Sequence, residues 1–537
     1  LLLSTVSAEA LEAAEPAKDA PAATAQSAPA QAPAPGEAGA AAPDATKRVV
    51  YIPEIVKAEI REEIKQEVLE QAKKENWAAP NSSPEWLKRF KPNGDVRARF
   101  ERVIFGRGNA NEGEFPDFNA INSGRPFDVK GVDLANDRFL NVDQNRTRPR
   151  LRARLGLDVD IGGGLLAGLR LASGESSSPV SANQTLGGSG GDFSRYQFWI
   201  DRAFLRWEIL GGDRRGLAVE IGRFENPFFA TELIWGTEVN FDGIAVQGRT
   251  RMGSSLTPFI VAGAFPIFVT AFNFPAERTD KFVSRNKWLY AAQIGADWKA
   301  SEAMSLKIGA AFYDFDKVEG QTSGPCDTNL TFISCNTDDS RPSFAQKGNT
   351  YFALRTPSPL ALQLEGSGAP QYQFFGLASR FRELVATARL DARLSAALAF
   401  GAEAEYVRNL GFHKSQIVDL VPLNNLGPLP EGGQIAPYQG GNNAVLGRVS
   451  LASPSQERRW DWKTRLTYRW IQSDAVLDAL NDPDFGLGGS NLKGFAIDAT
   501  VWVADGVSAG VRWFSADQIV GPTFGVDVLQ FDVLARF

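Results

Sequence analysis

The feature that most constrains this chain is a two-residue alternation of apolar and polar side chains that begins at Asn93 and persists to Phe537. Successive side chains on a strand point to opposite faces. In KWLYAAQIGADWK, Trp288, Tyr290, Ala292, Ile294, Ala296 and Trp298 therefore share one face, and Leu289, Ala291, Gln293, Gly295, Asp297 and Lys299 share the other. RRWDWKTRLTYRWI repeats the pattern, with Trp460, Trp462, Leu466, Tyr468 and Trp470 set against Asp461, Lys463, Arg465, Thr467 and Arg469. Trp288 and Trp298 are ten positions apart, as are Trp460 and Trp470. At about 3.3 Å per residue and a tilt near ~40°, that spacing covers roughly 25 Å along a membrane normal, the height of the apolar band between the aromatic girdles of a transmembrane barrel. A soluble sandwich also alternates, but an aromatic-ended apolar face opposite a polar one fits lipid outside and water inside.

Composition narrows the class. The 537 residues include 12 Trp and 36 Phe but a single His, and the net charge of −6 gives no electrostatic support to nucleic-acid binding. The longest apolar stretch, Pro258 to Phe272, has Pro266 in its middle. It is shorter than the ~20 residues a membrane helix needs, and reads as two strand pieces meeting at a turn. The pattern predicts an all-β fold, a transmembrane antiparallel β-barrel of about 16 strands (14–18) preceded by a short amphipathic helix. Long gaps (106–145, 174–196, 225–241, 265–286, 315–381, 409–445, 472–490 and 516–525) alternate with short turns, as external loops and periplasmic turns do. Within 315–381, QKGNTYFALR is a candidate for one further strand pair.

The N-terminal part divides differently. Residues 1–8 read as the tail of a secretory signal ending in small residues. Residues 9–50 are an Ala/Pro-rich linker. Residues 51–92 form an amphipathic helical segment, whose stripe Ile52, Val56, Ile60, Ile64 and Val68 needs a partner: copies of itself, the barrel, or the cell wall or a periplasmic protein through residues 51–76. The barrel domain is 93–537, and it ends in DVLQFDVLARF, a strand whose terminal Phe537 resembles an outer-membrane assembly signal.

Five stretches together carry a resemblance: YIPEIVKAEIREEIKQEVLEQAKKENWAAP, NRTRPRLRARLGL, GRFENPFFATELIWGTEVNFDGIAVQ, QKGNTYFALR and the closing LARF. With them the chain resembles the putative-porin family of Gram-negative outer-membrane β-barrel proteins, from about Val50 to the end. The resemblance implies a barrel porin with a short N-terminal helical segment, homotrimeric by analogy with general porins. The family's acidic residue after the Trp of the third stretch is here Gly236.

Two stretches are candidate pore linings, since a channel selects at its narrowest charged ring. In RTRPRLRAR, Arg146, Arg148, Arg150, Arg152 and Arg154 share one strand face. Guanidiniums cost several kcal/mol each against lipid, so the ladder is expected inside, beside Arg97 and Arg99. The third long loop, Glu225 to Phe241, carries Glu225, Glu232 and Glu238, followed by Asp242. Folded inward behind the Asn226-Pro227 turn, it would face the ladder with acids and set a transverse field. The alternative is an external loop packed by Phe228, Phe229 and Trp235. Cys326 and Cys335 are the only cysteines and are expected to form a disulfide in an oxidising compartment. No metal site, cofactor or catalytic group is expected: His413 stands alone with no nucleophile motif.

The function these readings favour is a porin for passive diffusion of small hydrophilic solutes and ions across outer-membrane lipid. The alternatives are a structural tether working through the N-terminal segment, or a substrate-specific channel.

Overall fold

The structure is a computed structural model that describes residues 61–68, 70, 86–133, 138–188, 190–271, 283–366, 368–430 and 436–537. Residues 61–68 are helical, and Ile64 and Val68 of the apolar stripe are exposed. The signal and linker readings, with Ile52, Val56 and Ile60, lie outside the described residues.

Sixteen long strands make up the barrel wall: β1 (Phe90–Phe105), β2 (Arg146–Gly162), β3 (Leu165–Ser173), β4 (Phe198–Leu210), β5 (Arg215–Glu225), β6 (Asn240–Thr250), β7 (Leu256–Phe268), β8 (Lys287–Lys299), β9 (Met304–Asp316), β10 (Phe381–Arg393), β11 (Ala399–Asn409), β12 (Asn443–Ala452), β13 (Trp462–Ile471), β14 (Leu492–Ala504), β15 (Val507–Gln518) and β16 (Gly525–Arg536). Each pairs antiparallel with its neighbours, and β1 pairs with β16 from Asp95↔Arg536 to Phe105↔Val526, so the sheet has no free edge. The seam is finished by Phe537, whose backbone N–H and C=O both bond Gly94 (3.1 and 3.0 Å). A Cβ on residue 94 would stand 2.6 Å from the Arg154 carbonyl and 2.7 Å from the Phe537 ring, so glycine is required there.

The alternation governs the wall. Ile294, Leu466, Phe100 and Phe531 are exposed on the outer face, while Gln293, Thr467, Arg99, Glu101 and Gln530 are buried on the inner one. Two expectations are corrected. The described part of the stretch from Pro258 is not two strands meeting at a turn; Phe272 lies outside the described residues. β7 runs unbroken through Pro266, where the register against β8 skips between Lys287 and Trp288, so proline sits at an irregularity that does not need its missing N–H. Trp460 is not in a strand: it occupies the β12–β13 turn at φ +72°, held by its N–H to the carbonyl of Trp502 (2.7 Å).

The candidate pair in QKGNTYFALR exists, but not in the wall. Tyr351–Ala353 pairs antiparallel with Phe375–Leu377 as a separate two-stranded ladder. Around it, segment 317–380 and the other long loops build an apolar core that includes Phe118, Tyr351, Phe352, Phe375, Leu377 and Phe485, all buried.

Candidate functional site: a charged diaphragm across the lumen

The ladder follows from strand register. β1 places Asp95, Arg97, Arg99 and Glu101 on its inner face, opposite Arg154, Arg152, Arg150 and Arg148 of β2. Arginines directly opposite one another repel, so the ladder stands only with acids between its rungs. Asp95 holds Arg152 and Arg154 (2.8 and 2.7 Å). Glu101 holds Arg148 (2.6 Å) and lies 3.5 Å from Arg150. Asp532 of β16 accepts both prongs of Arg99 (2.7 and 2.9 Å), and Asp484 adds a third bond (3.0 Å). Arg146 stands apart: it is exposed at the end of β2 and reaches only the carbonyl of Asn145 (3.3 Å).

Segment 226–239 leaves the wall between β5 and β6. Gly222 and Gly243 face each other at its base with φ of +116° and +139°. A side chain at either would strike the backbone carbonyl of Ala203 or Ala264, so both bends need glycine. Asn226 Oδ1 accepts the N–H of Phe228 (2.9 Å) and starts the turn. Phe228 and Trp235 then pack edge-on against Tyr313 of β9, with ring centroids 5.2 and 5.3 Å apart.

Polar contacts carry the segment across the lumen. Phe229 exchanges two backbone bonds with the Gln293 side chain of β8 (2.8 and 2.7 Å). Thr231 donates its N–H (2.9 Å) and hydroxyl (2.5 Å) to Glu405 of β11. Glu232 pairs with Arg448 of β12 and Arg469 of β13 (2.7 Å to the latter). Gly236 donates to the carbonyl of Leu480 (2.7 Å), joining segment 472–491. A Cβ at Gly236 would lie 3.0 Å from the Asn481 carbonyl, so the acidic side chain of the family pattern would have to push that backbone aside by a few tenths of an ångström. Glu238 then returns to the ladder. It pairs with Arg152 (2.5 Å) and Arg97 (3.5 Å) and accepts the N–H of Ala182. Burial pushes the Glu238 carboxyl up, but the two guanidiniums and the Ala182 N–H outweigh it and hold it below the usual range.

Of the four acids read from the sequence, only Glu238 meets the ladder, and Glu232 goes to the opposite wall. Glu225 and Asp242 stay at the base of the segment, paired with Arg202 and Arg223 (2.8 Å each). Sequence reasoning did not single out a second basic set: Arg389, Arg448, Arg465 and Arg469 on the far wall, with Arg512 on β15. Its partners are Glu403, Asp482 and Asp498, with Arg465 and Arg512 sharing Asp498 (2.9 and 3.1 Å). The signal is present, since Arg465, Thr467 and Arg469 alternate with Leu466 and Tyr468, but the alternation of one strand does not tell a basic lining from an ordinary inner wall face.

The remaining candidates lie away from the lumen's charged layer. Trp298 is exposed on the outer face, Trp288 stacks on Tyr290 (6.2 Å), and Trp470 is partly buried. Cys326 and Cys335 are bonded, with Cα atoms 5.9 Å apart, in segment 317–380. Beside them Asp338 accepts the N–H of Cys335 (2.9 Å) and pairs with buried Arg355 (2.8 Å). His413 is exposed at the start of the short helix Lys414–Asp419. No cluster of metal-ligating side chains occurs among the described residues.

Comparison with known proteins gives a family. The profile of the family described as "Putative porin" matches residues 2–537. No curated protein sequence matches the chain. Similar solved structures include the outer-membrane channel DcaP of Acinetobacter baumannii, at 11% identity and TM-score 0.38 over 83% of this chain and 97% of that one. A high-pH structure of Pseudomonas putida OprB matches at 12% and 0.40 over 84% and 96%. A triple mutant of Rhodopseudomonas blastica porin matches at 11% and 0.31 over 83% and 100%.

Proposed function

Because the chain belongs to the putative-porin family, we propose that its lumen passes small hydrophilic solutes, with segment 226–239 folded in as the constriction. Family and closed barrel together point to a channel of the bacterial outer membrane rather than an enzyme. One observation carries the finer reading. The segment touches β8, β11, β12 and β13 and then β1 and β2, so it crosses the barrel instead of capping it. In this reading the short-turn end, with residues 1–89, faces the periplasm, the outer tryptophans are the lipid girdle, and three copies assemble.

Planar-bilayer conductance of the purified chain tests it. Stable steps grouped in threes are expected, and chemical cross-linking should give a trimer. A folded barrel, proven by heat-modifiable gel mobility, that gives no steps refutes it. The apolar core under the long loops favours one second reading, a plugged barrel whose N-terminal segment tethers a partner. Deleting residues 9–76 would then detach the envelope and leave conductance unchanged.

A further inference from the structure

Two cavities reach the Arg97–Glu238 pair, one bordered by each partner. One, of about 350 Å³, opens among the long loops and is lined by Ser176, Ser178, Ser181, Trp199 and Glu238. The other, of about 1100 Å³, opens at the short-turn end and is lined by Arg97, Arg465, Asp498, Arg512 and Asp532. Glu238 borders the first and Arg97 the second, and their side chains are 3.5 Å apart. The partition between the two cavities is therefore one ion pair thick at this point.

The pair is held from three sides. Glu238 also takes Arg152 and the Ala182 N–H, and Arg97 donates to Asn183 Oδ1 (2.6 Å). Segment 174–197 is thus a third wall beside the ladder and segment 226–239. Arg97 is under-supplied: its Nε is buried without a hydrogen-bond partner, and its one acid is shared with Arg152.

We propose that solute crosses between the cavities at Arg97, Arg152 and Glu238, and that the preferred solute is a small organic anion bearing a carboxylate. The proposal rests on the channel reading above. Passage requires the Glu238 carboxylate to leave the two guanidiniums. Arg152 keeps Asp95, but Arg97 loses its acid, and a buried guanidinium left bare costs several kcal/mol. A planar carboxylate on the solute fits the same forks and removes that cost, whereas a neutral or cationic solute does not. Glu238 is then the internal stand-in for the solute's own charged group.

The test uses the full chain in planar bilayers. A KCl gradient gives the chloride-to-potassium permeability ratio, and succinate is the probe for block of chloride current. Glu238→Gln should raise the ratio and Arg97→Gln lower it, each by roughly tenfold, because a unit charge a few ångströms from the path acts through a medium of low effective dielectric. Succinate should block the native channel and fail to block Arg97→Gln. Arg152→Gln replaces Arg97→Gln should that variant not show heat-modifiable folding. Unchanged ratios in both variants overturn the route, and shifts in the same direction overturn it too, since they mean displacement of the segment. Native chloride current indifferent to succinate overturns the solute class. Native chains that fold and give no current defeat the channel reading itself, a result distinct from all of these.

Discussion

Replacing Glu232 with alanine should release the far end of segment 226–239 without loosening the barrel. Glu232 accepts from Arg448 and from Arg469, and the three side chains are 16%, 12% and 3% exposed. Neither arginine would be orphaned. Arg448 keeps Glu403 (2.7 Å) and Arg469 keeps Asp482 (2.6 Å). The ~3–5 kcal/mol cost of a stranded buried charge therefore does not apply. What is lost is two charge-assisted bonds at about 1.5–3 kcal/mol each, less what water regains in the space left, or about 3 kcal/mol in all. That is roughly a hundredfold in the equilibrium between docked and released segment. The Phe228 and Trp235 anchors on Tyr313 and the Glu238 clamp remain, so release stays local. Hydrogen exchange of the amides of residues 226–239 reads it directly. Protection there should fall about a hundredfold, while β8 to β13 exchange as before. Unchanged protection would refute the assignment of Glu232 as an anchor. Equal loss across the wall would refute the claim that each arginine retains a partner.

Three other outcomes follow from the same geometry. Leu466→Arg places a guanidinium on the exposed outer face in mid-strand and should cost ~2–4 kcal/mol, lowering the denaturant midpoint of refolding, whereas Leu466→Phe should not. Converting Cys326 and Cys335 together to serine frees a loop of sequence separation 9 and should cost about 2.5 kcal/mol in the local stability of segment 317–380, read as faster protease cleavage there with the barrel intact. Burial among the loops pushes Asp478 from 3.8 up to about 7, against bonds from the Asn349 N–H and Tyr351. Between those values the docked segment 472–491 keeps a proton that a released one gives up, so docking should weaken as pH rises from about 4 to 7 and level off above. Exchange protection of that segment that rises over this range would reverse the assignment.

The wall was legible because one physical demand, lipid outside and water inside, acts on every strand. Each of the sixteen expected strands has its counterpart, and the errors sit where that demand lapses. Trp460 is apolar, yet it belongs to a turn that the alternation cannot see. Pro266 looked like a break because its missing N–H normally ends a strand, and only the partner's register shows that the site can spare it. The arginine ladder was visible for the same reason as the wall, since it repeats every second residue. Its partners were not. Arg99 is bound to Asp484 and Asp532, 385 and 433 positions away, and no local pattern announces such a closure. The sequence groups the acids of the third long loop on one side, but the turn at Asn226 and the crossing to β13 send Glu232 and Glu238 to opposite walls.

The way the long loops are packed says what kind of motion the lumen permits. A water-filled pore has no need of an apolar core, yet here Phe118 stacks on Tyr351 at 4.1 Å, and Asn349, fully buried, bonds the carbonyls of Ser473 and Val476 (2.6 and 2.8 Å). The stack ties loop 106–145 to segment 317–380, the Asn349 bonds tie that segment to 472–491, and Gly236 ties segment 226–239 to the same body through Leu480. Swinging that segment aside would break aromatic packing on Tyr313, two ion pairs at Glu232 and the bonds to Glu405 together, far more than thermal energy supplies. Glu238 is different. It follows exposed Thr237, and its polar bonds reach only the two guanidiniums and a single N–H. If solute crosses here, the moving part is one carboxylate side chain exchanging partners on two fixed arginines. Its opening should then respond to anions that compete for the guanidiniums, only weakly to ionic strength as such because the pair is buried, and little to agents that loosen apolar packing.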